Sequence, residues 1–422
     1  MEQKILHEAL MLYNATDNRP NTMRFSIRMK DEIDPDILQM AAQKCMERYP
    51  YFTVELVYKD GEYTLVYNKR PVVVSPEWDR IVLGCEMTNY HLTAISYHGK
   101  WLNIDISHAI TDGTGVYNIA RTLLYYYCTA KYNVNISREG ILLAGDEILN
   151  EEWEHPALKF KDVQARIPAE MPRAMSLFKM TGGDAPDHHM VYRISTDEND
   201  FIDFVKEIHG TPGTVVAALL DRAIASCHPD SEEAIRIILS VNMRKALRAP
   251  RAHHPLVGGV WLERGSRSDA LSLKDHVRMY REAVAEQTKD DIVIAESAGQ
   301  KNFADYLMSK ETDDERIALA TEHAIRTDGA ITAGVSYTGK ANLGQIEQYI
   351  EEFRNLTNSI YMTPLLEMSA VSGRFAIDFI QPFVDERYIK AFSKELDKYN
   401  IKFSMSPGEK MLLPKIKLPW SG

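Results

Sequence analysis

From residue 21 to residue 30 the chain reads Asn-Thr-Met-Arg-Phe-Ser-Ile-Arg-Met-Lys, with Met23, Phe25, Ile27 and Met29 at every second position. A period of two with polar or basic partners predicts a half-buried strand. Asp34-Pro35-Asp36 follows; Asp34 can cap a helix and Pro35 suits its first position. The apolar spacing then turns helical through Ile37, Leu38, Met40, Ala41, Cys45 and Met46, and Tyr49-Pro50 ends it. Two β-rich runs, 53–58 and 63–68, flank Asp60-Gly61, a hairpin signal. A second pair, 91–98 and 101–107, flanks Gly99-Lys100. From 115 to 131 the spacing is helical again, through Val116, Ile119, Ala120, Leu123, Leu124 and Tyr127.

Residues 152–187 break the pattern with Pro156, Pro168, Pro172, Pro186 and Gly182-Gly183, the signature of a long connection. Beyond it the alternation resumes. Strands are expected over 188–194, 233–241, 257–263, 331–337, 366–371 and 374–379, with a turn at Ser372-Gly373. Helices are expected over 197–209, capped by Thr196, over 211–227, through most of 272–310, and over 385–399. Strands and helices mix in both halves. The expected architecture is therefore two similar α/β domains, residues 1–182 and 183–422, with no short-period repeat.

Composition narrows the function classes. Hydrophobic residues make up 45 % of the 422 positions and charged residues 26 %, which excludes wholesale disorder. Forty-nine Lys+Arg against 60 Asp+Glu give a net charge of −11, the wrong sign for a dedicated nucleic-acid binder. Apolar runs such as 215–220 fall far short of the ~20 residues of a membrane span. The opening Met1–Glu8 carries acids and a His where a secretion signal needs an apolar stretch. A cytoplasmic location is expected. Cys45, Cys85, Cys128 and Cys227 form no C-x-x-C and read as small hydrophobes.

One segment carries chemistry. Ile104-Asp105-Ile106-Ser107-His108-Ala109-Ile110-Thr111-Asp112-Gly113 is a strand ending in His108, followed by Asp112, Gly113 and a helix. A His at such a junction can present its imidazole to a cleft, and imidazole suits a general base near neutrality. Asp112 stands where an N-cap belongs and could also pair with a distant Arg. Gly113 allows a sharp turn. The alternatives are an ordinary strand-end His beside a capping Asp, or a metal pair; no further ligand follows at a recognisable spacing.

His108-x-x-x-Asp112-Gly113 resembles the H-x-x-x-D-G signature of the chloramphenicol acetyltransferase/condensation-domain superfamily. Arg48-Tyr49-Pro50-Tyr51-Phe52, Ser240-Val241-Asn242-Met243-Arg244, Val257-Gly258-Gly259-Val260 and Gly334-Val335-Ser336-Tyr337-Thr338-Gly339 extend the resemblance along most of the chain. Ser107 stands where many relatives carry a first histidine. The D-F-G-W-G motif of plant members is absent, and residues 378–383 are at most its remnant.

The resemblance implies two CoA-dependent-acyltransferase-like α/β sandwich domains with an active-site tunnel between them, and His108 as the catalytic base. It implies transfer of an acyl group from acyl-CoA, a co-substrate rather than a bound cofactor, to the hydroxyl or amine of a small molecule. A carrier-protein thioester supplied in trans is the alternative donor, and a non-catalytic acyl-binding or scaffold relative the alternative class. Asp112 is then a brace, with Arg24 or Arg28 as its expected partner. Arg244 is read as a backbone brace, and Ser336 or Thr338 as an oxyanion donor or tunnel contact. The pairs His253-His254 and His188-His189 are poor metal sites, because adjacent side chains on an extended segment point apart. Tyr125-Tyr126-Tyr127 is read as packing.

Overall fold

The computed structural model describes residues 2–5, 7–17, 19–59, 62–76, 81–160, 163, 177–183, 189–264, 271–357 and 363–420. Asp60-Gly61, His188 and most of the proline-rich connection lie outside them.

The first half is built on a sheet whose order is Ile350–Thr357, Thr22–Met29, Trp101–Ser107, Thr93–His98, Val74–Ser75. The alternation read at 21–30 is the strand Thr22–Met29, whose Met23, Phe25, Ile27 and Met29 are buried. Asp34 accepts from the N–H groups of Asp36 and Ile37 and caps the helix Pro35–Arg48. That helix packs beside Gly113–Tyr132, the helix that follows the His108 loop. In a smaller sheet Glu62–Tyr67 is the middle strand, paired with Val54–Lys59 on one side and Glu2–Lys4 on the other. Tyr127 accepts from the Asp34 N–H and Tyr126 from the Ala144 N–H, so two of the three tyrosines lock this half's packing.

The second half carries the larger sheet, in the order Val257–Glu263, Arg236–Asn242, Ala333–Tyr337, Leu365–Val371, Arg374–Gln381, Met190–Asp197, Phe403–Met405. One of its faces, including Ile237, Leu239, Val335, Met368 and Phe379, packs on the helix Pro212–Cys227 in a single core. The helix Glu198–Glu207 is capped by Asp197, not by Thr196. The region expected to be largely helical over 272–310 is two helices, Leu273–Gln287 and Asp290–Met308, and a third, Asp313–Gly329, follows.

The chain does not respect a single boundary at residue 182. Ile350–Thr357 leaves the second half and adds to the edge of the first sheet, pairing Phe353 with Ile27 and Thr357 with Met23. Sequence alternation missed this strand because polar Arg354, Asn355 and Thr357 are buried in it beside Phe353 and Leu356, so no apolar period of two appears, and a bulge lies at its start between Ile350 and Glu352. Phe353 stacks edge-on against Phe25 and Tyr117 in the first core, while Arg354 bonds Asp378 and Asn355 bonds Glu367 in the second sheet. The helix Asp313–Gly329 likewise reaches back, with Asp313 accepting from the hydroxyls of Tyr13 and Tyr63. Among the described residues no helix is long and apolar enough to cross a membrane.

Candidate active site

The strand Trp101–Ser107 ends one residue before His108, and the backbone N–H of His108 donates to the carbonyl of Asn21 at 2.8 Å. Ser107, in the place of the expected first histidine, accepts from the Ala109 N–H and tightens the turn. The ring of His108 lies 2.9 Å by Nδ1 from the carbonyl oxygen of Thr111. A carbonyl only accepts, so Nδ1 carries the proton and the lone pair of the neutral ring sits on Nε2. The residue as a whole is 8 % exposed.

Asp112 is held from four directions. Its side chain caps the helix Gly113–Tyr132 through the N–H groups of Thr114 and Gly115. It receives a two-pronged bond from Arg244, at 2.8 and 3.0 Å, and the N–H of Leu256 at 2.9 Å. Arg244 also donates to the carbonyls of Ala252 and His254 and, at 3.5 Å, to the side-chain oxygen of Asn242. The partner of Asp112 is thus Arg244, from the other half of the chain, and not Arg24 or Arg28. Arg24 is committed to Asp105 at 2.7 Å, across the register pair that joins their strands. Arg28 lies at the exposed end of its strand against Glu351.

Gly113 is required for a different reason from the one its motif suggests. Its backbone is not in the left-handed region; a Cβ there would lie 2.4 Å from Oγ1 of Thr338. Two residues on, a Cβ at Gly115 would lie 1.9 Å from Oγ1 of Thr111. This second glycine, not singled out in the sequence, lets Thr111 sit over the helix start. The approach of Thr338 seats the second sheet on the motif, and Asn242 donates to the Thr114 hydroxyl at 3.3 Å beside it. Ser336, two residues before Thr338, bonds the carboxyl of Glu367, its register partner. Burial pushes that carboxyl up to about 8, despite the Ser336 hydrogen bond that opposes the shift.

The paired histidines do not point apart. The rings of His253 and His254 stack with centroids 4.1 Å apart, and His253 also stacks on Tyr51. His254 faces Glu8 by Nδ1 and the Trp153 carbonyl by Nε2. Glu8, His155 and His254 bring one ligand-capable atom each within 4.8 Å of one another. The N–H of Ala157 donates to His155 Nδ1, which commits that nitrogen as an acceptor and leaves the ring proton on Nε2. His155 in that tautomer has no lone pair to offer a metal, so the donor set reads as a buried hydrogen-bonded network. Beneath it Glu152 is held by Arg48 and the Tyr51 hydroxyl, all three buried. The four cysteines are unpaired, and burial pushes the Cys45 thiol well up.

No family model and no curated protein matches the sequence. Solved structures do match its fold. The TRI3 trichothecene 15-O-acetyltransferase from Fusarium sporotrichioides aligns with a TM-score of 0.63, over 94 % of this chain and 95 % of that one, at 12 % identity. F. graminearum TRI101, complexed with coenzyme A and T-2 mycotoxin, aligns with a TM-score of 0.57 over 96 % and 99 %, at 8 % identity. The epimerization domain from the third module of tyrocidine synthetase B gives 0.57 over 94 % and 96 %, at 12 % identity. The chain therefore has the fold of the TRI3 acetyltransferase, of TRI101 and of this epimerization domain.

Proposed function

We propose that the protein is a cytoplasmic acyltransferase that moves an acyl group from a CoA thioester to the hydroxyl or amine of a small molecule, with His108 as general base. The observation that carries this reading is the fixed tautomer of His108, whose Nδ1–H is spent on Thr111 and whose Nε2 is left as the acceptor. The fold shared with acetyltransferases, one of them complexed with coenzyme A, supports the donor class.

In this reading the substrates meet where the half built on Trp101–Ser107 and the half built on Arg236–Asn242 face each other, a common place for a ligand site. The acceptor O–H or N–H gives its proton to His108 Nε2 as its heteroatom attacks the thioester carbonyl. Collapse of the tetrahedral intermediate breaks the C–S bond, and the leaving thiolate takes the proton back from His108. Holding both substrates across one imidazole removes much of the entropic barrier. The developing oxyanion needs a donor. The hydroxyl of Thr338, packed on Gly113, is the better placed of the two expected groups, since Ser336 is engaged by Glu367. In this reading Asp112 takes no part in the proton transfer; it fixes the loop.

The test is turnover of acetyl-CoA against a panel of alcohols and amines, read as free thiol. His108→Ala is expected to lower turnover about 10²–10⁴-fold with the fold retained. Turnover only with an acylated carrier protein would transfer the reading to a condensation-type enzyme. Binding of acyl-CoA without turnover under any acceptor would make the protein a non-catalytic relative.

A further inference from the structure

The His108 loop is gripped by a segment that the catalytic reading does not use. Thr111, whose carbonyl fixes the His108 ring, donates its own hydroxyl to the carbonyl of His253 at 2.7 Å. The ring of His253 lies 3.0 Å by Nδ1 from the carbonyl of Ile110. The backbone N–H of His253 donates to the carbonyl of Glu152. One residue thus bonds Ile110, Thr111 and Glu152, and the carbonyls of its neighbours Ala252 and His254 accept from Arg244.

The state of the ring follows from its surroundings. His253 is buried, stacked between Tyr51 and His254 and edge-on to Phe52. Burial holds its imidazole well below the usual range, the neighbouring His254 and His155 push the same way, and Glu8 opposes. The ring is therefore neutral, and since a carbonyl only accepts, its proton sits on Nδ1 and points at Ile110. Nε2 is buried with no hydrogen-bond partner among the described residues. A buried acceptor without a partner is unfavourable, and a leucine would fill the volume without it. What the imidazole adds over a leucine is the Nδ1–H bond to Ile110.

We propose that His253 is a positioning residue for His108: its Nδ1–H bond to Ile110 and its carbonyl bond to Thr111 hold the loop in the conformation that keeps His108 in the Nε2-acceptor tautomer. The proposal rests on the reading of His108 as the base, and it is tested on the ring itself so that the two stand or fall separately. Nitrogen-15 NMR of the full-length protein reports which nitrogen of His108 is protonated without any substrate. His253→Leu removes the ring donor; His253→Asn keeps a donor near the Nδ1 position. Thr111→Val leaves the ring of His253 untouched and removes the second bond. In wild type one ring nitrogen of His108 is expected to be protonated and the other not.

His253→Leu and Thr111→Val should mix the two forms, and His253→Asn should restore the single form. Where turnover is measured, His253→Leu should lower kcat about 10–100-fold, the usual effect of a small misplacement. KM for the acyl donor should stay within about twofold, because the loop and not the donor site has moved. Identical His108 spectra in wild type and in folded His253→Leu would overturn the proposal. So would a His253→Asn protein as perturbed as His253→Leu, since the ring would then act only by packing. If His253→Leu does not fold, an unchanged His108 spectrum in Thr111→Val overturns it. A wild type without turnover whose tautomer still responds to His253→Leu would sink the acyltransferase reading and leave the positioning role in place.

Discussion

Asp112 and Arg244 lie 132 positions apart in the chain, and their side chains form a two-pronged ion pair with contacts of 2.8 and 3.0 Å, both groups almost fully buried. The pair joins the loop of the first half to the segment 252–256 of the second. Because both groups are buried and otherwise bonded mainly to backbone, removing either partner strands the other in a dry setting.

Asp112→Asn keeps the size and a capping oxygen but not the charge. It is expected to lower folding stability by about 3 kcal/mol, the usual consequence of breaking a buried pair from one side. Activity should fall while the ascending limb of the pH–rate profile stays where it is, since the proposed mechanism gives Asp112 no part in proton transfer. Chemical denaturation and the profile are read on the same protein. Unchanged stability with a displaced limb would give Asp112 a share in proton transfer.

Arg244→Lys tests geometry apart from charge. A lysine ammonium cannot serve two oxygens of Asp112 and two carbonyls at once. The variant should lose about 2 kcal/mol although the charge is kept. A melting curve equal to wild type would show that the fork is not needed.

Gly113→Ala places a methyl against Thr338. A strain of about 1–3 kcal/mol is expected from overpacking. Thr338→Ala removes the two nearest atoms, Oγ1 and Cγ2. The double variant Gly113→Ala/Thr338→Ala should therefore recover most of the stability lost in Gly113→Ala alone. Additive losses in a double-mutant cycle would refute the contact.

Glu367 makes stability fall as pH rises. Burial raises its folded-state value to about 8, so the folded protein binds this proton more tightly than the unfolded chain. The stabilising contribution is full below the ordinary carboxylate range and is lost as pH rises through about 8. Across that window its slope is at most about 1.4 kcal/mol per pH unit. Glu367→Gln keeps partners for Asn355 and Ser336 and removes the ionisation. It should match wild type near pH 5 and be the more stable protein at pH 9 in thermal unfolding. A wild-type excess at pH 9 would mean that Glu367 is charged in the fold.

Local pattern was enough to read most elements. The strand Thr22–Met29, the Asp34 cap, the strand Trp101–Ser107 and the helix after His108 all follow from period, capping chemistry and turn residues, which act over a few neighbouring positions. The same locality makes the H-x-x-x-D-G segment legible, because His108 and Asp112 sit on one turn whose geometry the adjacent strand and helix impose. What escaped the sequence is long-range. The crossing strand Ile350–Thr357 shows no apolar alternation because it buries Arg354, Asn355 and Thr357 as well as Phe353 and Leu356, and its partner lies more than 300 positions away. Arg24 and Arg28 looked suitable for Asp112 because they flank the right strand, yet Arg24 is neutralised by its register partner Asp105 and Arg28 faces outward. The motif by itself marks Gly113 as a turn residue, but the approach of Thr338 from the other sheet is what excludes a side chain. The stacking of His253 on His254 reversed the expectation for adjacent residues. The sequence by itself thus determined the elements and the chemistry placed at the end of one strand. The tertiary structure alone decided which charges meet, because ion pairs and close backbone approaches depend on how two sheets dock, and no short-range period records that.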